Sequence, residues 1–228
     1  DQTEQKLIRQ HHVNYIDWQT LTLQHVLGQG ASGVTYQAIW QPSQYNKQYQ
    51  AAETVAVKLF KSELTSDGLP RCEMHANILA GEHANLVGIK GVIRNHPQGV
   101  LGLVMPLLDV NLKVLANPPS FDSCTRDVYA EDLKLSSEEV QHIMQGVTNA
   151  VMHLHQQGLM HGDLYAHNIL WRSDKLKSQK VVLSDLGGAS CLPVDNPALA
   201  QNLLKLEARA LKVLSQELLN RCNTESAN

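Results

Sequence analysis

The chain has 228 residues, a formal charge of −3, and 43% hydrophobic against 18% charged residues. It can therefore bury a real core, as one domain or two small lobes, and it does not have the composition of a disordered segment. The acidic balance and the lack of a basic run exclude a typical nucleic-acid binder, and no stretch of about 18 apolar residues is present to span a bilayer. The polar start at Asp1, without Met, suggests a piece cut from a longer chain rather than a signal peptide. Cys72, Cys124, Cys191 and Cys222 are scattered with no CxxC spacing and are expected to be thiols. His11/His12 and His153/His155 match no HExxH-like ligand set, so no zinc site is expected.

Residues 1–20 lack clear periodicity and read as a lead-in helix or linker. Residues 21–60 alternate apolar and polar positions around a Gly-rich turn and read as strands, with Thr54-Val55-Ala56-Val57-Lys58-Leu59 the clearest. A helix is predicted over 70–80, then strands over 87–93 and 100–105 joined by the turn His96-Pro97-Gln98-Gly99. Residues 117–134, with Pro118-Pro119, read as an irregular surface loop. Ser136 and Glu139 have capping-box spacing, and Val140, Ile143, Met144, Val147, Val151 and Leu154 share one face of the helix they open, which Gly158 ends. Leu170-Trp171 and Val181-Val182-Leu183 read as a short strand pair, and 198–219 as a final helix or helix pair. This order predicts an α+β fold of two lobes, split as 21–105, a hinge at 106–110, and 111–228.

Four motifs carry chemistry. In His161-Gly162-Asp163-Leu164-Tyr165-Ala166-His167-Asn168-Ile169-Leu170, an Asp is followed five residues later by an Asn. Asp163 can take a proton from an incoming hydroxyl while the Asn168 carbonyl oxygen holds a magnesium ion, a phosphoryl-transfer arrangement. Upstream, Gly28, Gly30 and Gly33 form a GxGxxG run followed by Val34. Glycines there let backbone N–H groups approach phosphate oxygens. A strand-like stretch follows rather than a helix, which favours a hairpin over a nucleotide and not a dinucleotide fold. Lys58 ends the apolar strand Val55-Ala56-Val57-Lys58 and is placed to grip phosphates. It needs a carboxylate, and Glu73 in the next helix is chosen over Glu63 and Glu82. Downstream, Asp185 in Asp185-Leu186-Gly187 follows a strand, 22 residues after Asp163, and can chelate magnesium.

Taken together, Gly28/Gly30/Gly33/Val34, Val55-Ala56-Val57-Lys58, the Glu73 helix, His83-Ala84-Asn85-Leu86-Val87, Leu103-Val104-Met105, the Asp163 loop and Asp185-Leu186-Gly187 resemble the protein kinase superfamily over about residues 21–220. The wording of the Asp163 loop and the stretch Leu206-Glu207-Ala208-Arg209-Ala210-Leu211 is also similar to compact bacterial kinase domains that accompany leucine-rich repeats. The resemblance implies a bilobal kinase-like fold, β-rich in the N-lobe, with a shortened helical C-lobe lacking the late helices. It implies ATP and Mg2+ as cofactors and a protein hydroxyl as acceptor, Ser/Thr favoured over Tyr. Asp163 becomes the base, Lys58 with Glu73 the phosphate-gripping ion pair, and Asn168 and Asp185 the metal ligands. Leu27, Val34, Ala56 and Leu170 would sandwich the adenine, with Met105 behind it and backbone around Leu108 bonding its edge. No nucleic acid or membrane partner is implied, a preceding domain or partner would supply substrate docking, and a cytoplasmic setting is expected.

The sequence departs from that family in four ways. Gly162 stands where many members have Arg, so a phosphorylated activation loop has no reader, and activity independent of that switch is expected. Tyr165 replaces the Lys typical of Ser/Thr kinases, and His167 stands where tyrosine kinases often carry Arg. The cation beside the phosphoryl group is thus absent or a titratable His. Leu186 replaces Phe. Finally, no Ala-Pro-Glu follows Asp185, and Glu207 sits where the family has an Asp anchoring the loop backbone. Two other readings compete: a small-molecule phosphotransferase of the aminoglycoside or choline kinase kind, and a pseudokinase serving as a nucleotide-binding interaction module.

Overall fold

The computed structural model describes residues 2–30, 32–42, 51–61, 69–123, 126–172 and 180–222. Asp1, Glu63 and Cys124, all named above, lie outside them. The chain divides into two units, the first formed by Asp1–Glu82, Val87–Asp109 and Leu186–Ala189, the second by His83–Leu86, Val110–Asp185 and Ser190–Asn228. The main passage lies between Asp109 and Val110. The division is not one cut, because two short stretches of chain each belong to the other unit.

The first unit holds α1 (Gln2–Gln10), β1 (Asn14–Asp17), β2 (Leu21–Gln29), β3 (Gly33–Trp40), β4 (Glu53–Phe60), α2 (Pro70–Ala80), β5 (Gly91–Arg94) and β6 (Gly102–Pro106). The strands form one sheet in the order β1-β5-β6-β4-β3-β2. Residues 14–17, expected to be lead-in or linker, are an edge strand instead: β1 pairs in parallel with β5, Tyr15 against Val92. Ile16, at 2% exposure, is the reason, since its burial with Trp40, Val57 and Val104 ties the segment to the core. Side chains alternate along β4. Val55 and Val57 join that cluster, whereas Phe60 joins a second one with Ile8, Met74, Ile78 and Leu103, which carries α1 and α2. The strands expected at 87–93 and 100–105 are shorter than predicted, because Gly88 to Lys90 run as irregular chain.

The second unit holds β7 (Lys113–Val114), α3 (Ser137–Gln156), β8 (Leu159–Met160), β9 (Ile169–Arg172), β10 (Lys180–Leu183), β11 (Ser190–Cys191) and α4 (Pro197–Leu219). Ser136 and Glu139 close a full capping box at the start of α3. Its apolar face buries Val140, Ile143, Val147, Val151 and Leu154, and Gly146 packs so closely on Val181 that an added Cβ would stand 2.8 Å from it. Strands β10, β9 and β7 form an antiparallel sheet, and β11 pairs with β8. Asn85 fastens the short His83–Leu86 segment here, donating from its amide to Val181 O at 2.9 Å and accepting from Leu183 N at 2.8 Å. No helix among the described residues is long and apolar enough to cross a membrane.

Candidate active site

In the first unit, the pleat of β4 sends Lys58 to the face that carries α2, where its ammonium forms an ion pair with Glu73. Glu73 is buried (3% exposed) within the first turns of that helix. The helix begins with Pro70 at its first position, which fixes the entry without a side-chain cap. The Gly-rich run joins β2 to β3. Gly30 N donates to Gly33 O at 2.9 Å, and Lys61 Nζ donates to Gly30 O at 2.8 Å. The glycines differ in kind. A Cβ at Gly33 would lie 2.4 Å from Leu59 O, so that glycine lets β3 close onto β4. A Cβ at Gly28 or Gly30 would meet nothing within 4 Å among the described residues, so those two keep open space above the backbone. Ala56 and Met105 face each other across β4 and β6 on the Lys58 side. Leu27 is exposed, Val34 and Leu108 are half-buried, and Leu170 lies on β9 in the second unit.

In the second unit, the loop from His161 to Asn168 is bent by a left-handed Gly162 (φ 78°) and a 3-10 turn at Ala166–Asn168. Asn168 is buried and donates its amide to Asp163 twice, to the backbone oxygen at 3.0 Å and to Oδ2 at 2.8 Å. With its nitrogen committed there, Asn168 has its carbonyl oxygen to offer a metal. His161 is fully buried. Its Nδ1 accepts from Asp163 N (3.2 Å) and its Nε2 donates to Ser184 O (3.0 Å), which ties the loop to the residue before Asp185. Burial holds the His161 pKa below the usual imidazole range, and that agrees with the neutral tautomer these bonds require. Asp185 itself is exposed and sits in the left-handed region (φ 58°), a conformation uncommon outside glycine.

Two chain-distant carboxylates hold this loop. Glu207 on α4, 2% exposed, accepts from Gly162 N at 2.9 Å through Oε1 and meets His155 Nε2 at 2.5 Å through Oε2. Asp127 accepts from Ala166 N at 2.9 Å through Oδ2. Its Oδ1 accepts from His167 N at 3.1 Å and lies 2.6 Å from His167 Nδ1. The Asp127 bond raises the pKa of His167 against the opposing effect of burial.

A family model described as protein tyrosine and serine/threonine kinase matches residues 21–225. The chain belongs to this protein kinase family. It is 27% identical over 216 residues to "Probable serine/threonine-protein kinase gdt4" of Dictyostelium discoideum, across 90% of this chain and 11% of that one. It is 26% identical to the serine/threonine-protein kinase PITSLRE of Drosophila melanogaster, across 62% of this chain and 13% of that one. It is 35% identical to the human tyrosine-protein kinase STYK1, across 47% of this chain and 24% of that one. The chain spans less than a quarter of the length of each of these three kinases.

Within this kinase domain, the structure brings Lys58 to Glu73, Ala56 to Met105, and Asp163 to Asn168. Sequence reasoning placed Glu207 but missed three contributors. Asp127 lies in a stretch read as surface loop, yet it is buried. Arg126, beside it, donates to Leu164 O at 3.1 Å, stacks on the Tyr165 ring at 4.2 Å and pairs with Glu217 at 3.0 Å. His155, noticed only for its closeness to His153, is the partner of Glu207. A polar residue in a loop has no period, so nothing local to 126–127 distinguishes an anchor from solvated surface. The one readable signal was Gly162: a glycine inside a catalytic loop asks for the positive φ it adopts.

Proposed function

We propose that this domain transfers the γ-phosphoryl group of Mg-ATP to a protein hydroxyl, with Ser/Thr the favoured acceptor and Tyr a further one. The observation that carries the reading is the Asp163–Asn168 pair, in which one buried amide both steadies the carboxylate and keeps an oxygen for a metal. The residues present fit the nucleotide chemically. Lys58, oriented by Glu73, offers a cation for phosphate oxygens, and the space above Gly28 and Gly30 lets their backbone approach such a group. Leu27, Val34, Ala56, Met105, Leu108 and Leu170 are assigned to the base, and Asn168 with Asp185 to magnesium. A bound magnesium would neutralise charge on the phosphates. Asp163, 42% exposed at its side chain, orients the acceptor hydroxyl and takes its proton.

Activity is assigned without control by activation-loop phosphorylation. Gly162 offers no guanidinium to a phosphate, and its amide is bound to Glu207 instead. Incubation with Mg-ATP and a peptide library, followed by mass-spectrometric mapping of phosphosites, tests both points. Label should enter peptides or the chain itself, resist prior phosphatase treatment, and vanish in Asp163→Ala and Asp185→Ala. Equal label in the wild type and both variants would remove the catalytic assignment. Label confined to aminoglycosides or choline would move the activity to small molecules, and Mg-ATP binding without any transfer would leave a nucleotide-binding module.

A further inference from the structure

The end of β4 is fixed by the core. Phe60, its last residue, is 5% exposed among Ile8, Met74 and Leu103, and its amide donates to Leu101 O at 3.0 Å. Lys61, the next residue, reaches the Gly-rich hairpin twice. Its backbone N–H donates to Ser32 O at 2.9 Å, and its ammonium donates to Gly30 O at 2.8 Å. Lys58, three residues earlier, is paired with Glu73, so the two lysines have different partners. The ammonium bond matters because of what it holds. Glycine has no Cβ to restrict its dihedrals, and a Cβ at Gly30 would meet nothing within 4 Å among the described residues. Sterics therefore leave the Gly30 carbonyl free to turn. Gly33, pressed against Leu59 O, and Ser32, 5% exposed, are held by the packing of the sheet. Gly30 is held by hydrogen bonds: its N–H donates to Gly33 O at 2.9 Å, and its oxygen is bound by Lys61.

We propose that Lys61 is a positioning residue for the nucleotide: by holding the Gly30 carbonyl from the fixed end of β4, it keeps the Gly-rich hairpin set for the phosphates before they arrive. This inference rests on the nucleotide assignment in the phosphotransfer reading above. Lys61 acts through Gly30 and touches no substrate atom. A hairpin with a loose glycine must be ordered when the ligand binds, and that ordering opposes binding. A tether present in the free protein removes this cost. Its effect is the same for the bound substrate and for the transition state, so it falls on KM for ATP and not on kcat. It also falls on ligands that carry phosphates, because the hairpin amides have nothing to bind in a nucleoside alone.

The test compares Lys61→Met and Lys61→Arg with the wild type. Met keeps an unbranched apolar stem but has no donor, while Arg restores one. Calorimetry with Mg-ATP and with adenosine gives the affinities, and casein with mixed Ser, Thr and Tyr peptides gives the kinetics. Lys61→Met should weaken Mg-ATP about fivefold, the scale of one hydrogen bond, and leave adenosine within about twofold of the wild type. KM for ATP should rise in step, with kcat within about twofold, and Arg should recover most of the loss. In protein free of nucleotide, amide hydrogen exchange over residues 28–34 should be faster in Lys61→Met than in the wild type. Unchanged Mg-ATP affinity in Lys61→Met overturns the inference and leaves the kinase reading standing. So does an equal loss for Mg-ATP and adenosine, or a loss that Arg does not repair. A loss for Mg-ATP with unchanged exchange in the free protein also overturns it, since Lys61 would then meet the phosphates directly. A wild type that binds no Mg-ATP removes both.

Discussion

The two units hold their functional residues by different means. In the first, Lys58 reaches Glu73 because a strand alternates and the following helix packs on that face of the sheet. The information is short-range, a pleat and a helix start 12 residues further along. In the second, the Asp163 loop has no regular structure to hold it beyond a single 3-10 turn. Its amides at Gly162, Ala166 and His167 are bound instead by Glu207, 45 residues after the first, and Asp127, about 40 residues before the other two. An irregular segment carries unpaired backbone donors, and burying them demands acceptors from wherever the fold can bring one. Regular elements tolerate loss of a side chain near a site better than such a loop does.

The sharpest break of that contrast is Glu207→Ala. It takes away the buried carboxylate that binds the Gly162 amide and the half-buried His155, and should lower stability by about 2 kcal/mol in a urea titration, whereas Glu207→Gln, which still offers an acceptor, should recover much of it. Equal, small losses for both would mean that the loop holds itself. In the first unit, Gly33→Ala should cost about 2 kcal/mol, since its Cβ would stand 2.4 Å from the backbone oxygen of Leu59. Gly28→Ala and Gly30→Ala should be close to neutral in stability while weakening ATP binding, measured by calorimetry. A uniform effect at all three glycines would erase the distinction between closing the sheet and leaving room for phosphate.

The pH dependence should come largely from the second unit. Burial lowers the pKa of His161, and that of His83, which stacks on His153 at 4.7 Å, from the ordinary 6.5. Between those lowered values and 6.5 the unfolded chain binds more protons, so their contribution is full above 6.5 and drains away as pH falls. His167 has the opposite sign. Its raised value makes its contribution full below 6.5 and lost as pH rises through the folded pKa. Urea midpoints should therefore drop on the acid side, less so in His83→Phe, and His167→Phe should flatten only the alkaline slope. Ser136→Ala should cost about 1 kcal/mol of stability in the same titration, from loss of the α3 capping box.

Much of the first unit was legible because its cues are periodic. The predicted helix over 70–80 coincides with α2, and β2, β3 and β4 occupy the stretch read as strands. The start of α3 at the Ser136/Glu139 box was equally plain. The lead-in was misjudged because Asn14–Asp17 shows only one deeply buried apolar side chain, and a parallel edge strand needs a partner 77 residues away to reveal it. Glu207 could be placed only through the family likeness. Asp127 could not be placed at all.

Periodicity, glycines and motif spacing were enough to pair Lys58 with Glu73 and to mark Asp163, Asn168 and Asp185 as the acidic and amide groups of interest, and the order of those motifs carried the resemblance to the family. Folding in three dimensions settled which remote carboxylates secure the loop, which ring nitrogen of His167 is tied down, and which glycine is a packing necessity rather than an opening for a ligand. The physical reason is range: side-chain alternation and helix caps act over a few residues, whereas satisfying a buried amide depends on whatever acceptor the packed chain delivers beside it.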